Sequence, residues 1–137
     1  MKKTLALVLG LLTILMLAIN TAAASPEVIK PLWNNINYMS NDLEFNSTSG
    51  ITSTMVLGKS GTTKITGTLT VYVQTANGWE VVDSASTTSN SNIFTLDINF
   101  TGIPGEYYKS VLSVTVMING LNESATKTAY EYCPSTN

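Results

Sequence analysis

Ile65-Thr66-Gly67-Thr68-Leu69-Thr70-Val71-Tyr72-Val73-Gln74-Thr75-Ala76-Asn77-Gly78-Trp79-Glu80-Val81-Val82-Asp83 is the stretch that decides the fold. Leu69, Val71 and Val73 point to one side of an extended chain, and Thr68, Thr70, Tyr72 and Gln74 to the other. A period of two with one apolar face marks a half-buried strand, here with a threonine-rich solvent side. Asn77-Gly78 follows at once. Both residue types tolerate positive φ, so the pair predicts a type I′ turn, with residues 79–83 returning as the partner strand.

Outward from this hairpin the same period recurs. Residues 84–92 are almost purely Ser, Thr and Asn, a loop or a flat polar edge. Phe94, Leu96, Ile98 and Phe100 alternate with polar residues, and Gly102-Ile103-Pro104-Gly105 reads as a turn. Tyr108, Leu112, Val114, Val116 and Ile118 then share one face of the longest strand, Gly120-Leu121-Asn122 turns the chain, and residues 124–132 form a last strand. Upstream, Ile36 and Tyr38 precede a break at Ser40-Asn41, after which Leu43 and Phe45 resume; Ile51, Ser53, Met55 and Leu57 mark another strand. The helical period is missing throughout. Seven or eight short strands predict an all-β chain, a single antiparallel β-sandwich over residues 34–133 with a tail at 134–137.

The N-terminus reads as an address. Lys2 and Lys3 precede an apolar run at residues 5–19, and Ala22-Ala23-Ala24 offers an A-x-A cleavage site between Ala24 and Ser25. The run is shorter than the roughly 20 residues that span a bilayer, so no stable membrane span is expected after cleavage. Residues 1–24 are thus expected to be a signal peptide. Residues 25–33, with Pro26 and Pro31, form an extended lead-in. The expected location is extracellular, and the short Met-Lys-Lys start looks bacterial.

Composition narrows the chemistry. Past residue 24 five lysines remain against nine acidic residues, a net charge of about −4, with no Arg and no His anywhere. Such a surface repels phosphate backbones, which excludes nucleic acid as a favoured partner. Without His there is no Ser-His-Asp or Cys-His arrangement, and one Cys cannot supply a zinc site. A glycosidase needs only two carboxylates, for which Asp42 with Glu44 or Asp83 with Asp97 are the candidates. Asp42, Glu44 and Asn46 also share one strand face as oxygen donors for calcium, but no Asp-rich loop with a turn glycine supports them. The expectation is a non-enzymatic monomer with no cofactor and no metal. Cys133 is the sole cysteine, a candidate intermolecular thiol or a small buried hydrophobe.

Thr101-Gly102-Ile103-Pro104-Gly105-Glu106-Tyr107-Tyr108, the Val/Leu strand after it and the return through Asn119-Gly120 resemble the last two strands of fibronectin type III and immunoglobulin-like domains. The resemblance implies a tyrosine whose hydroxyl bonds back to the preceding corner, and the inward phase favours Tyr108 over Tyr107. The immunoglobulin cysteine pair and the fibronectin strand-B tryptophan are missing. Asn77-Gly78-Trp79 and Gly105-Glu106-Tyr107-Tyr108 together also resemble small secreted Firmicutes proteins of unknown function, which implies a fold and a location but no site. The function expected is a secreted binding or surface-interaction module for an unknown protein or glycan. The alternative is a carbohydrate-binding module whose exposed rings, centred on Trp79 and Tyr72, stack on sugars. Trp33, Tyr38, Tyr107, Tyr130 and Tyr132 are further ring candidates.

Overall fold

In the computed structural model, which describes residues 32–135, the alternation becomes seven strands: β1 (Ile36–Asn46), β2 (Ser49–Gly58), β3 (Thr62–Thr75), β4 (Gly78–Ser89), β5 (Ile93–Thr101), β6 (Tyr107–Ile118) and β7 (Leu121–Tyr132). No helix occurs among the described residues. The expected signal peptide, its expected Ala24–Ser25 cleavage point and most of the expected lead-in lie outside them. The strands form two antiparallel sheets, β1-β2-β5 and β4-β3-β6-β7. The chain crosses between sheets after β2, β4 and β5, so each sheet joins strands distant in sequence. This is an immunoglobulin-like order in which the fourth strand stays beside the third.

The two inner faces meet in one core. Ile36, Met39, Leu43, Val56, Phe94 and Ile98 come from the smaller sheet; Ile65, Leu69, Val71, Tyr108, Leu112, Val114 and Val116 come from the larger. Each such side chain contributes roughly 1.5–3 kcal/mol on leaving water, and that burial, not a disulfide, holds the sandwich. Bulky rings fit because glycine faces them. A Cβ at Gly50 would stand 2.5 Å from the Phe100 ring, and one at Gly67 would overlap the Phe94 ring.

One polar group crosses the core, and it is fully satisfied. The Asn41 amide donates to the Ser110 and Lys127 carbonyls at 3.0 Å each, while its oxygen accepts from Thr52 Oγ1 at 3.2 Å and Ser110 Oγ at 3.0 Å. Buried hydrogen-bonding capacity left unmet costs about 1–3 kcal/mol per group, so this amide fixes how the sheets align.

Several expectations change in detail. The break in β1 falls at a bulge between Ile36 and Tyr38, after which Met39, Asn41 and Leu43 face inward and Tyr38 faces water. In β2 the phase is opposite to the one read from its apolar residues. Gly50, Thr52, Thr54, Val56 and Gly58 point inward, while Ile51 and Met55 are exposed. Gly50 leaves room there for the Phe100 ring, and the Thr52 and Thr54 hydroxyls are satisfied by Asn41 Oδ1 and the Leu96 carbonyl. Of the two readings of residues 84–92, loop or flat polar edge, residues 84–89 take the second, forming the second half of the outer strand β4.

The predicted β3–β4 hairpin forms, but not through Asn77-Gly78 as a type I′ turn. Thr75 pairs with Gly78, so Ala76 and Asn77 are the loop, and only Gly78 has positive φ (116°). The type I′ pattern appears instead at Asn119 (φ 52°) and Gly120 (φ 78°), between paired Ile118 and Leu121.

Candidate functional site

The outer face of the four-stranded sheet concentrates both the aromatic and the hydroxyl side chains. Register assembles it in rows. Tyr130, Lys109, Tyr72 and Val81 lie side by side across β7, β6, β3 and β4, and in the adjacent row Tyr132 sits opposite Tyr107 and Trp79 opposite Gln74. Strand spacing of about 4.8 Å brings rings from non-neighbouring strands within reach of a long side chain. Trp79 leans from edge strand β4 across the sheet, its ring centroid 6.1 Å from Tyr107 and 6.2 Å from Tyr130. Tyr107 and Tyr130 stack at 5.9 Å with 15° between planes, and Tyr132 lies 4.5 Å from Tyr107.

Trp79 and Tyr72 do not form the open platform expected of them. Lys109 Nζ stands 4.4 Å from the Trp79 ring and 4.9 Å from that of Tyr72, so the protein's own cation occupies a face of each. Both rings are half-buried. The freely exposed rings are Tyr130 (54%) and Tyr132 (60%), supported from beneath by Tyr107. Trp79 and Tyr72 thus lie within the ring cluster, but the open ring faces there are those of Tyr130 and Tyr132. Tyr130 and Tyr132 at i, i+2 on one strand were the available signal, but only the β6–β7 register places Tyr107 opposite Tyr132. Trp33 and Tyr38 belong elsewhere. Asn35 Nδ2 bonds the Val116 carbonyl, which places that end of β1 roughly 30 Å of strand from Tyr107.

An open cleft of about 540 Å³ borders this cluster at the end of the sandwich. Gln74, Glu80, Ile103, Glu106, Tyr107 and Tyr132 are among its walls, contributed by the β3–β4 hairpin, the 102–106 loop and the outer strands. Its size suits a small ligand or one unit of a larger one. The loop wall is held firmly. Tyr108, 1% exposed, accepts a 2.8 Å hydrogen bond at its hydroxyl from the Ile103 N–H, the tyrosine corner implied by resemblance. Gly105 N–H donates to the Cys133 carbonyl at 2.9 Å, and Cys133 N–H to the Glu106 carbonyl at 3.0 Å.

Cys133 is therefore part of the frame. Its side chain is 1% exposed, its sulfur lies 3.8 Å from the Ser47 carbonyl, and a Cβ on Gly102 would meet that sulfur at 2.9 Å. Burial pushes the thiol above its ordinary range. The intermolecular disulfide considered from sequence has no access in this fold.

The acidic pairs considered from sequence are not in the cleft. Asp42, Glu44, Asp83 and Asp97 are all exposed, and Asp97 Oδ1 is 3.4 Å from the Thr54 N–H. The carboxylates in the cleft are Glu80 and Glu106, neither singled out by spacing, while Glu44 shares a separate open hollow of about 280 Å³ with Glu131. Glu80 and Glu106 are both exposed, and Glu80 Oε1 accepts from Thr75 Oγ1 at 3.1 Å. No group of three or more metal-ligating side chains occurs among the described residues.

No family model matches the sequence, and no curated protein does. Among solved structures, a β-glucuronidase from Parabacteroides merdae aligns over 68% of this chain and 13% of its own, at 13% identity and a TM-score of 0.47. The sporulation control protein Spo0M from Bacillus subtilis aligns over 77% of this chain and 51% of its own, at 12% identity and a TM-score of 0.41. The aligned share is thus a small part of the first protein and about half of the second.

Proposed function

We propose that this chain is a secreted, non-enzymatic binding module whose ligand is a carbohydrate held at the aromatic end of the four-stranded sheet. The observation that carries this is the cleft itself, where Tyr107 and Tyr132 present ring surface beside Gln74, Glu80 and Glu106. Apolar sugar faces stack on rings while sugar hydroxyls need acceptors and donors at the periphery, and this cleft supplies both kinds of group. The exposed carboxylates suit that role. A catalytic acid needs a carboxyl withheld from water, and neither Glu80 nor Glu106 is withheld. The two carboxylates in the cleft wall, with the Lys109 charge already engaged over Trp79 and Tyr72, favour a neutral glycan over an acidic one. The protein acts as a monomer outside the cell under this reading, with Cys133 sealed in its core.

A glycan array probed with the whole chain and with Tyr132→Ala tests the idea. Binding that Tyr132→Ala abolishes, with the bound oligosaccharide recovered at its original length, is the expected outcome. Absence of binding to any glycan, or binding indifferent to Tyr132→Ala, would sink it.

A further inference from the structure

The aromatic rows occupy one end of the sheet's outer face; the next three rows are almost entirely hydroxyls. Across β4, β3, β6 and β7 they read Ser84-Thr70-Val111-Thr128, then Ser86-Thr68-Ser113-Thr126, then Thr88-Thr66-Thr115-Ser124. Val111 alone lacks a hydroxyl, and none of these side chains is charged. Neighbours are paired by hydrogen bonds: Thr68 to Ser86 at 2.7 Å, Thr70 to Ser84 at 2.9 Å, Thr66 to Thr88 at 3.3 Å, Thr115 to Ser124 at 2.9 Å and Ser113 to Thr126 at 3.4 Å. A hydroxyl pair uses one donor and one lone pair between its members and keeps roughly one donor and three lone pairs for a ligand, except that Ser84 Oγ also donates to the Leu69 carbonyl at 3.3 Å. Pairing also fixes the rotamers, so less side-chain entropy is lost when a ligand bonds to them. A shallow trough of about 290 Å³ crosses the last two rows, lined by Thr66, Thr68, Ser113, Thr115, Ser124 and Thr126 among others.

We infer that this lattice extends the aromatic cleft into a track for one polysaccharide chain, which lies along the strands from the Tyr107–Tyr132 cleft across the hydroxyl rows. The inference rests on the carbohydrate reading of the cleft and adds the form of the ligand. Charge supports the choice of occupant: an uncharged, donor-and-acceptor surface complements an uncharged polyhydroxyl chain, whereas a nucleic acid or charged peptide would find no counter-charge in these rows. Shape separates a single chain from a crystalline surface. Adjacent strands rotate by about 20–25°, so three strand interfaces turn the face by roughly 60–75°, and a flat solid touches only part of it. A flexible chain follows the twist. Rows repeat about every 6.8 Å along the strands, so the three hydroxyl rows offer contact well beyond the unit seated in the cleft.

Calorimetric titration of the whole chain with soluble ladders of β-linked glucose and β-linked N-acetylglucosamine oligomers tests this. Affinity should keep rising with chain length past the shortest oligomer that binds. The triple variant Thr68→Val, Ser113→Ala, Thr126→Val removes three of the four hydroxyls of the middle row while keeping strand-compatible side chains. It should match the parent for the shortest binding oligomer and lose about tenfold for the longest. Tyr132→Ala should weaken short and long oligomers alike, and melting curves of the variants establish that each is folded. Affinity that stops rising at the shortest binding oligomer, with the triple variant equal to the parent throughout, overturns the track and leaves the cleft reading intact. Binding to crystalline polymer without binding to soluble oligomers overturns it too. No binding to either ladder overturns both readings.

Discussion

The two ends of the β4-β3-β6-β7 sheet are built from the same alternating backbone yet anchored by different chemistry. At the aromatic end a neutral hydroxyl, Tyr108 Oη, ties the 102–106 loop, and the Cys133 backbone clasps it. At the hydroxyl end a carboxylate does the tying. Glu123, at the start of β7, accepts from the Asn34 N–H at 2.8 Å, the Asn35 N–H at 2.6 Å and the Ile36 N–H at 3.2 Å. Asn35 returns the contact through its amide to the Val116 and Leu121 carbonyls, and Lys59 Nζ holds the Trp33 carbonyl at 2.7 Å. The surface side chains between them are free to serve a ligand because neither anchor depends on them.

The largest effect expected lies beneath the surface, where the two ends share a floor. Gly67 is buried in β3 between the hydroxyl rows and the core, and any Cβ there collides with the Phe94 ring. Gly67→Ala should cost about 1–3 kcal/mol in chemical denaturation, the usual range for overpacking. Denaturation unchanged within about 0.5 kcal/mol would show that Phe94 gives way easily, and that the hydroxyl face is not fixed from below.

Tyr108→Phe separates the ends. It leaves the Ile103 N–H without its acceptor, a loss of about 1–3 kcal/mol, and it loosens a wall of the cleft. Faster hydrogen exchange confined to residues 102–106 is expected, with the hydroxyl rows unaffected. Exchange that rises equally at both ends would mean that the corner holds the whole sandwich rather than its own end.

How far this was legible in the sequence follows from the same contrast. Strand number, the turn at residues 102–105 and the inward tyrosine were readable, because alternation and turn residues are local. Orientation in β2 was not: Thr52 and Thr54 look like surface residues until Leu96 and Asn41 supply their partners from other strands. Asn77-Gly78 misled for a related reason. Its neighbours set the register, and Gly78 paired with Thr75 instead of sitting in the loop, while the same dipeptide at Asn119-Gly120 turned as its chemistry suggests. The site was half legible. Which rings cluster depends on cross-strand register, and what covers Trp79 depends on a lysine two strands away.

Glu123 gives the smallest expected effect and the sharpest contrast between the ends. Burial alone would raise its carboxyl, but the N–H groups of Asn34, Asn35 and Ile36, aided by the positive charge of Lys59, bring it below its ordinary value of 4.5. A carboxylate whose folded value is depressed adds stability that is fully present above the unfolded value and is lost as pH falls through the folded one. The hydroxyl end should therefore loosen below about pH 4.5 while the aromatic end holds. Amide exchange at residues 34–36, followed from neutral to acid, should rise there without a matching rise at residues 102–106. Glu123→Gln should bring the same acceleration at neutral pH, cost about 1 kcal/mol because the group is only partly shielded from water, and flatten the acid dependence. Equal acid sensitivity at both ends in parent and variant would mean that acid acts on the sandwich through carboxylates other than this one.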